Sequence, residues 1–137
     1  MDMKIIISEN QLKEIISDLI TPDEYTNMVR NLMDSLESLY PVDLFIYYNK
    51  FAHTIIVSKI VIDKQNRNKG IGSNVMSTIC NLADKHNMRI ALTPTNDFGG
   101  SKTRLIQFYK KFGFTKYKGF EFKESMVRIP QNTPNIN

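Results

Sequence analysis

With 137 residues, 42% of them hydrophobic and 23% charged, the chain is expected to be a single soluble globular domain, long enough for one core and not disordered over most of its length. No apolar run approaches the ~18 residues needed to cross a bilayer, the N-terminus lacks the apolar stretch of a signal peptide, and the lone Cys80 excludes an internal disulfide, so a cytoplasmic location is expected. The net charge of +4 suits a protein that binds a polyanionic small molecule and equally one that touches nucleic acid.

Met3 to Ile7 is a short apolar run of strand type. Ser8-Glu9-Asn10-Gln11 then has the form of a capping box, with Leu12, Ile15, Ile16 and Leu19 following at helical spacing. Thr21-Pro22-Asp23-Glu24 opens a second helix, with proline at its first position and acids in its first turn. Tyr25, Met28, Val29, Leu32, Leu36 and Leu39 give that helix an apolar face, and Pro41 ends it. From Val42 the pattern is of strand type: Leu44 to Tyr48, a turn at Asn49-Lys50, then a long β-branched run from His53 to Ile62 that predicts a bend or a bulge.

The stretch from Asp63 to Lys69 has no apolar residue, and Gly70-Ile71-Gly72 follows it directly. Glycines at the entry to a helix let the backbone turn sharply and approach a ligand where the first helical N–H groups lack partners, which makes an anion cradle. A nucleotide-binding Walker loop requires Lys followed by Ser or Thr after its second glycine, and Ser73-Asn74 stands there; a dinucleotide fingerprint requires a small residue at Val75 and an acid near Leu92. Neither pattern is met. The helix that follows carries Ile71, Val75, Ile79, Leu82 and Ala83 on one face and stops at Asn87. Met88 to Thr93 is a strand, so a right-handed crossover should set it parallel to the long strand. Residues 95–101 form a polar loop at the same end; Leu105, Phe108, Tyr109 and Phe112 mark another helix, stopped by Gly113. Phe114 to Tyr117 and Glu124 to Ile129 read as a closing strand pair, and 130–137 as a tail beyond a single domain of residues 1–129.

Arg67-x-x-Gly70-x-Gly72 after an apolar strand resembles the acetyl-CoA pyrophosphate loop of GNAT-type N-acetyltransferases, and Tyr109-x-x-x-Gly113-Phe114 is similar to their second signature. The two occur in the family's order, and the resemblance covers roughly residues 42–129. It implies a mixed α/β (α+β) fold: a mostly antiparallel sheet with a splayed parallel strand pair, flanked by about four helices.

The resemblance further implies acetyl-CoA as co-substrate, without a metal. The backbone of Asn68, Lys69, Gly70, Ile71, Gly72 and Ser73 would hold the pyrophosphate, with Arg67 beside it. The main chain near Ile60 to Ile62 would bond the pantetheine arm, Asn96 would reach the same arm, and Tyr109 would protonate the departing thiolate. An oxyanion donor is expected near Ile62, where the strand bends from its neighbour. The long strand offers His53, Ser58 and Lys59 but no acid before Asp63, leaving His53 or a water as base. The acceptor would be an amine on a small molecule, a protein or a nucleic acid; a homodimer is an admissible assembly. The competing readings are an acyl-CoA-binding regulatory module without catalysis, and a nucleic-acid interaction protein using Lys102, Lys110, Lys111, Lys116, Lys118 and Lys123.

Overall fold

A computed structural model describes residues 8–12, 19–95 and 101–131. The expected strand at 3–7, residues 13–18 of the first helix, Asn96 and residues 132–137 lie outside them. The capping box forms at the start of the first helix: the Gln11 N–H donates to Ser8 Oγ at 3.1 Å and the Ser8 N–H to Gln11 Oε1 at 2.8 Å.

Helix α1 is Pro22–Leu39, capped by the Thr21 hydroxyl, which accepts from the Glu24 N–H at 3.2 Å. It buries Tyr25, Val29 and Leu36 against the sheet, while Leu39, expected on the buried face, is 73% exposed. Strands β1 (Asp43–Asn49) and β2 (Thr54–Val61) follow as an antiparallel pair. Their turn is held by Asn49 Oδ1, which accepts from the N–H groups of Phe51 and Ala52 at 3.1 and 3.2 Å. Helix α2 (Ile71–Lys85) crosses to β3 (Arg89–Leu92), and α3 (Lys102–Lys111) leads to β4 (Thr115–Lys116) and β5 (Met126–Arg128). The sheet order is β1-β2-β3-β5-β4, with β2 and β3 parallel as the crossover rule predicts and every other pair antiparallel.

Both later helices end the same way. Asn87 (φ 56°) and Gly113 (φ 95°) take the left-handed conformation just past the C-caps His86 and Phe112. The next N–H then reaches back, Met88 to the Ala83 carbonyl at 2.8 Å and Phe114 to the Tyr109 carbonyl at 3.2 Å. The second bond matters for the site, because it fixes the end of α3 that carries Tyr109.

The core sits between the sheet and the helices, with Val29, Ile55, Val75, Ile79, Ile90 and Phe114 nearly inaccessible. Cys80 lies in it, and burial pushes its thiol up to about 11. At pH 8 only about one thiol in a thousand is then ionised. Iodoacetamide is expected to label the native protein at pH 8 no faster than it unfolds, and rapid stoichiometric labelling would contradict this packing.

The presumed tail begins tied down, since the Gln131 N–H donates to Asp84 Oδ1 at 2.9 Å. No helix among the described residues is long and apolar enough to cross a membrane. The six late lysines, 102, 110, 111, 116, 118 and 123, are all exposed and are spread over α3, β4 and the loop before β5.

Candidate active site

The long strand does carry a bulge, and the cleft is built on it. Phe45 pairs with Lys59 and Ile46 with Val57, so Ser58 is the extra residue on β2. Beyond this point the alternation changes phase. Ile55 and Val57 face the core before it, and Ile60 and Ile62 pack against the core after it, while Lys59 stays partly exposed and pairs with Asp43. A bulge also bends its strand. The β2–β3 ladder ends at the adjacent pair, Val57 with Leu92, so residues 58–61 of β2 continue beside β1 alone. The parting of the parallel strands therefore falls at Ser58 and not near Ile62, where the bend was expected.

Into this opening points the loop that leads to α2. A 3₁₀ turn, Lys64–Asn66, follows β2, and the Arg67 guanidinium Nε donates to the Ile62 carbonyl at 3.0 Å, fastening the loop to the strand end. Asn68 (φ 62°) and Gly70 (φ 77°, the N-cap) are both left-handed, a conformation that glycine adopts without steric cost. The first intrahelical bond of α2 runs from the Asn74 N–H to the Gly70 carbonyl at 3.0 Å. The N–H groups of residues 71–73 thus precede the helical ladder, and no side chain caps them.

These elements enclose a cleft of about 640 Å³ lined by β2 from Val57 to Val61, Ile62, Lys64, Arg67, Asn68 and Gly72 on one side. Leu92, Thr93, Thr95, Ser101, Arg104, Leu105, Phe108 and Tyr109 line the rest. Of the residues singled out from the sequence, Ile60, Ile62, Arg67, Asn68, Gly72 and Tyr109 meet in this cleft. Lys69, Gly70, Ile71 and Ser73 are not among its lining residues; Ile71 packs in the core, and Lys69 Nζ donates to Asn66 Oδ1 at 3.5 Å. Asn96 is outside the described residues.

Tyr109 is 5% exposed, set edge-on to Phe108 and Phe114 with ring centroids 5.4 and 5.6 Å away. Burial pushes its hydroxyl up to about 12, and among the described residues that hydroxyl has no hydrogen-bond partner. Tyr109 is thus a buried phenol at the wall of the cleft, able to donate its hydroxyl proton in a hydrogen bond.

His53, expected on the long strand, stands elsewhere. It sits in the turn before β2 with φ 48°, not on the strand, and does not line the cleft. Its Nε2 lies 3.0 Å from the His86 carbonyl, which can only accept, so Nε2 carries the proton; Nδ1, 2.7 Å from the Tyr48 hydroxyl, accepts in the neutral ring. One ring nitrogen thus ties that turn to the end of α2 and the other ties it to β1.

Sequence reasoning passed over Phe108 and Arg104 as cleft residues. Phe108 reads as part of the same apolar stripe as Leu105 and Phe112. The available signal for Arg104 was its place one residue before that stripe, in a helical first turn containing no acid.

A parallel strand pair that parts beside an uncapped helix N-terminus, with a tyrosine helix closing the same cleft, defines the class by its architecture: the GNAT fold. The chain belongs to the GNAT acetyltransferase family, since the family model for the acetyltransferase (GNAT) domain matches residues 42–116, more than half of its length. No curated protein matches it. Solved structures similar to it include Ard1 from Thermoplasma volcanium, 23% identical, with 66% of this chain and 64% of that one covered and a TM-score of 0.47. Naa50 from Arabidopsis thaliana, in complex with the bisubstrate analogue CoA-Ac-MVNAL, is 18% identical over 88% and 91% of the two chains, with a TM-score of 0.44. PH1933 from Pyrococcus horikoshii OT3 is 17% identical over 96% of each, with a TM-score of 0.46. This chain spans less than two thirds of the Ard1 chain.

Proposed function

We propose that the protein is an acetyl-CoA-dependent N-acetyltransferase that moves the acetyl group directly to a primary amine, with Tyr109 as the acid for the leaving thiolate. The observation that carries this reading is the meeting of the parted strands, the uncapped α2 N-terminus and the Tyr109 hydroxyl in one cleft. The pyrophosphate suits the N–H groups of residues 71–73, where the helix dipole favours negative charge. The pantetheine arm suits the β2 edge from Ser58 to Val61, which has no neighbour on the β3 side.

In the reaction the neutral amine attacks the thioester carbonyl, a C–N bond forms, and negative charge gathers on the carbonyl oxygen. Collapse breaks the C–S bond; the thiolate takes the Tyr109 proton, and the phenolate is reprotonated from solvent or from the product nitrogen. A phenol at about 12 is a weak acid toward a thiol of reference pKa ~8.5 in water. The same burial that raises the phenol also raises a thiol, as at Cys80, so the mismatch narrows inside the cleft.

Calorimetric titration with acetyl-CoA should give saturable binding at one site per chain, and incubation with an amine panel should release free CoA. Absence of binding would sink the reading; binding without transfer would leave only a cofactor-binding module.

Gly72 offers a sharper check. A Cβ there would meet Ile62 Cδ1 at 3.5 Å and Phe108 Cζ at 3.6 Å, ordinary contacts at a position lining the cleft. Gly72→Ala is therefore expected to leave thermal stability unchanged or raise it by up to about 1 kcal/mol, since alanine favours helix. It should weaken acetyl-CoA binding by about tenfold or more by crowding the ligand. Unchanged affinity would mean that the cofactor does not approach this turn.

A further inference from the structure

Four cations, Lys59, Lys64, Arg67 and Arg104, line the cleft, and among the described residues no carboxylate does. Two of them have protein partners: Lys59 pairs with Asp43 at 2.5 Å, and Arg67 donates to the Ile62 carbonyl. Lys64 and Arg104 are exposed, and the side chain of neither makes an ion pair or a hydrogen bond among the described residues. They reach the same cavity from different elements, Lys64 from the turn after β2 and Arg104 from the first turn of α3. That turn is unusual for a helix start, since it carries Lys102 and Arg104 and no acid, the reverse of what the helix dipole favours. Both an anion and the dipole are satisfied if negative charge arrives from the cleft.

The pyrophosphate of the cofactor would be met by the α2 N-terminus and Arg67. Lys64 and Arg104 are then surplus to it, and a phosphate monoester of about −1.5 to −2 charge at neutral pH is what two further cations suit. We propose that Lys64 and Arg104 together bind the 3′-phosphate that distinguishes coenzyme A from its dephospho form, so that the protein selects the fully phosphorylated cofactor. Lys64 supplies a compact point charge and Arg104 a planar fork that can bond two phosphate oxygens. The inference rests on the acetyl-CoA reading above.

The test is calorimetric titration of the full chain with CoA and with 3′-dephospho-CoA, for the natural protein and for a Lys64→Ala, Arg104→Ala double variant. The natural protein is expected to bind CoA about 10- to 100-fold more tightly than 3′-dephospho-CoA. The double variant should bring that ratio close to one by losing CoA affinity alone. Its retained 3′-dephospho-CoA affinity then shows that it is folded. Equal affinity of the natural protein for the two ligands overturns the proposal while leaving the acetyltransferase reading intact. A large ratio that survives in the double variant overturns the assignment to these two residues. If neither ligand binds the natural protein, the cofactor reading and this inference fall together.

Discussion

Replacing Tyr109 with phenylalanine is expected to lower kcat by about 100-fold or more while changing acetyl-CoA affinity by less than about threefold. Phenylalanine keeps the ring among Phe108 and Phe114 and deletes only the hydroxyl, which has no protein partner to lose among the described residues. A drop confined to kcat therefore reports a proton delivered in the transition state. An unchanged kcat would reduce Tyr109 to a packing residue. The pH profile adds an independent sign. The hydroxyl is raised to about 12, so its ionisation cannot produce a fall in kcat near pH 10, and an alkaline limb there must belong to another group. The stability linkage points the same way: with an unfolded value of ~10, the contribution of this group is fully present below pH 10 and is lost as pH rises through 12.

The largest effect on stability is expected at Arg128 and Asp84. Arg128 is 4% exposed and makes a two-pronged contact with the Asp84 carboxylate at 2.7 and 3.0 Å, while its Nε donates to the Phe112 carbonyl at 2.6 Å. Burial alone would lower the Arg128 pKa, but the hydrogen bonds and charge of Asp84 and the neighbouring Cys80 raise it, so the guanidinium stays charged. Asp84→Ala leaves that cation buried without its counter-charge, and a loss of about 3–5 kcal/mol, or about 10–20 °C in Tm, is expected. An Asp84→Leu, Arg128→Met double variant removes both charges and should recover a good part of it. If thermal denaturation shows Asp84→Ala within about 1 kcal/mol of the natural protein, the pair is a surface decoration and not a buried joint. Because Phe112 caps α3, loosening this joint should also disturb Tyr109 three residues earlier.

What the sequence disclosed, it disclosed through local physics. Gly113 as a helix stop, the Ser8 and Thr21 caps and the glycine loop each depend on neighbours within five residues, so residue type alone announces them. The bulge was foreseeable too, since β-branched alternation through Ile55 and Val57 would otherwise drive Lys59 into the core. The hidden features are those in which distant residues decide. Arg128 and Asp84 are 44 positions apart, and nothing in either segment names the other. His53 looked like the first residue of an apolar strand. It is instead turned out of that strand by hydrogen bonds to Tyr48 and to the His86 carbonyl, the latter 33 positions away. The cleft itself needed three segments to converge, which is why its residues could be named only through a likeness of motifs.

Ser58 acts as a parity switch. Side chains on a strand alternate strictly, so one inserted residue decides which half of the following stretch is wet and which is dry. Were the bulge ironed out, so that Ser58 itself stood opposite Phe45, Lys59 and Val61 would take over the positions that Ile60 and Ile62 now hold, and a charged ammonium would stand at the apolar wall. The β1–β2 register would run without interruption, removing the kink that frees β2 from β3. Where the two parallel strands part thus hangs on a single residue that the β1–β2 ladder leaves unpaired.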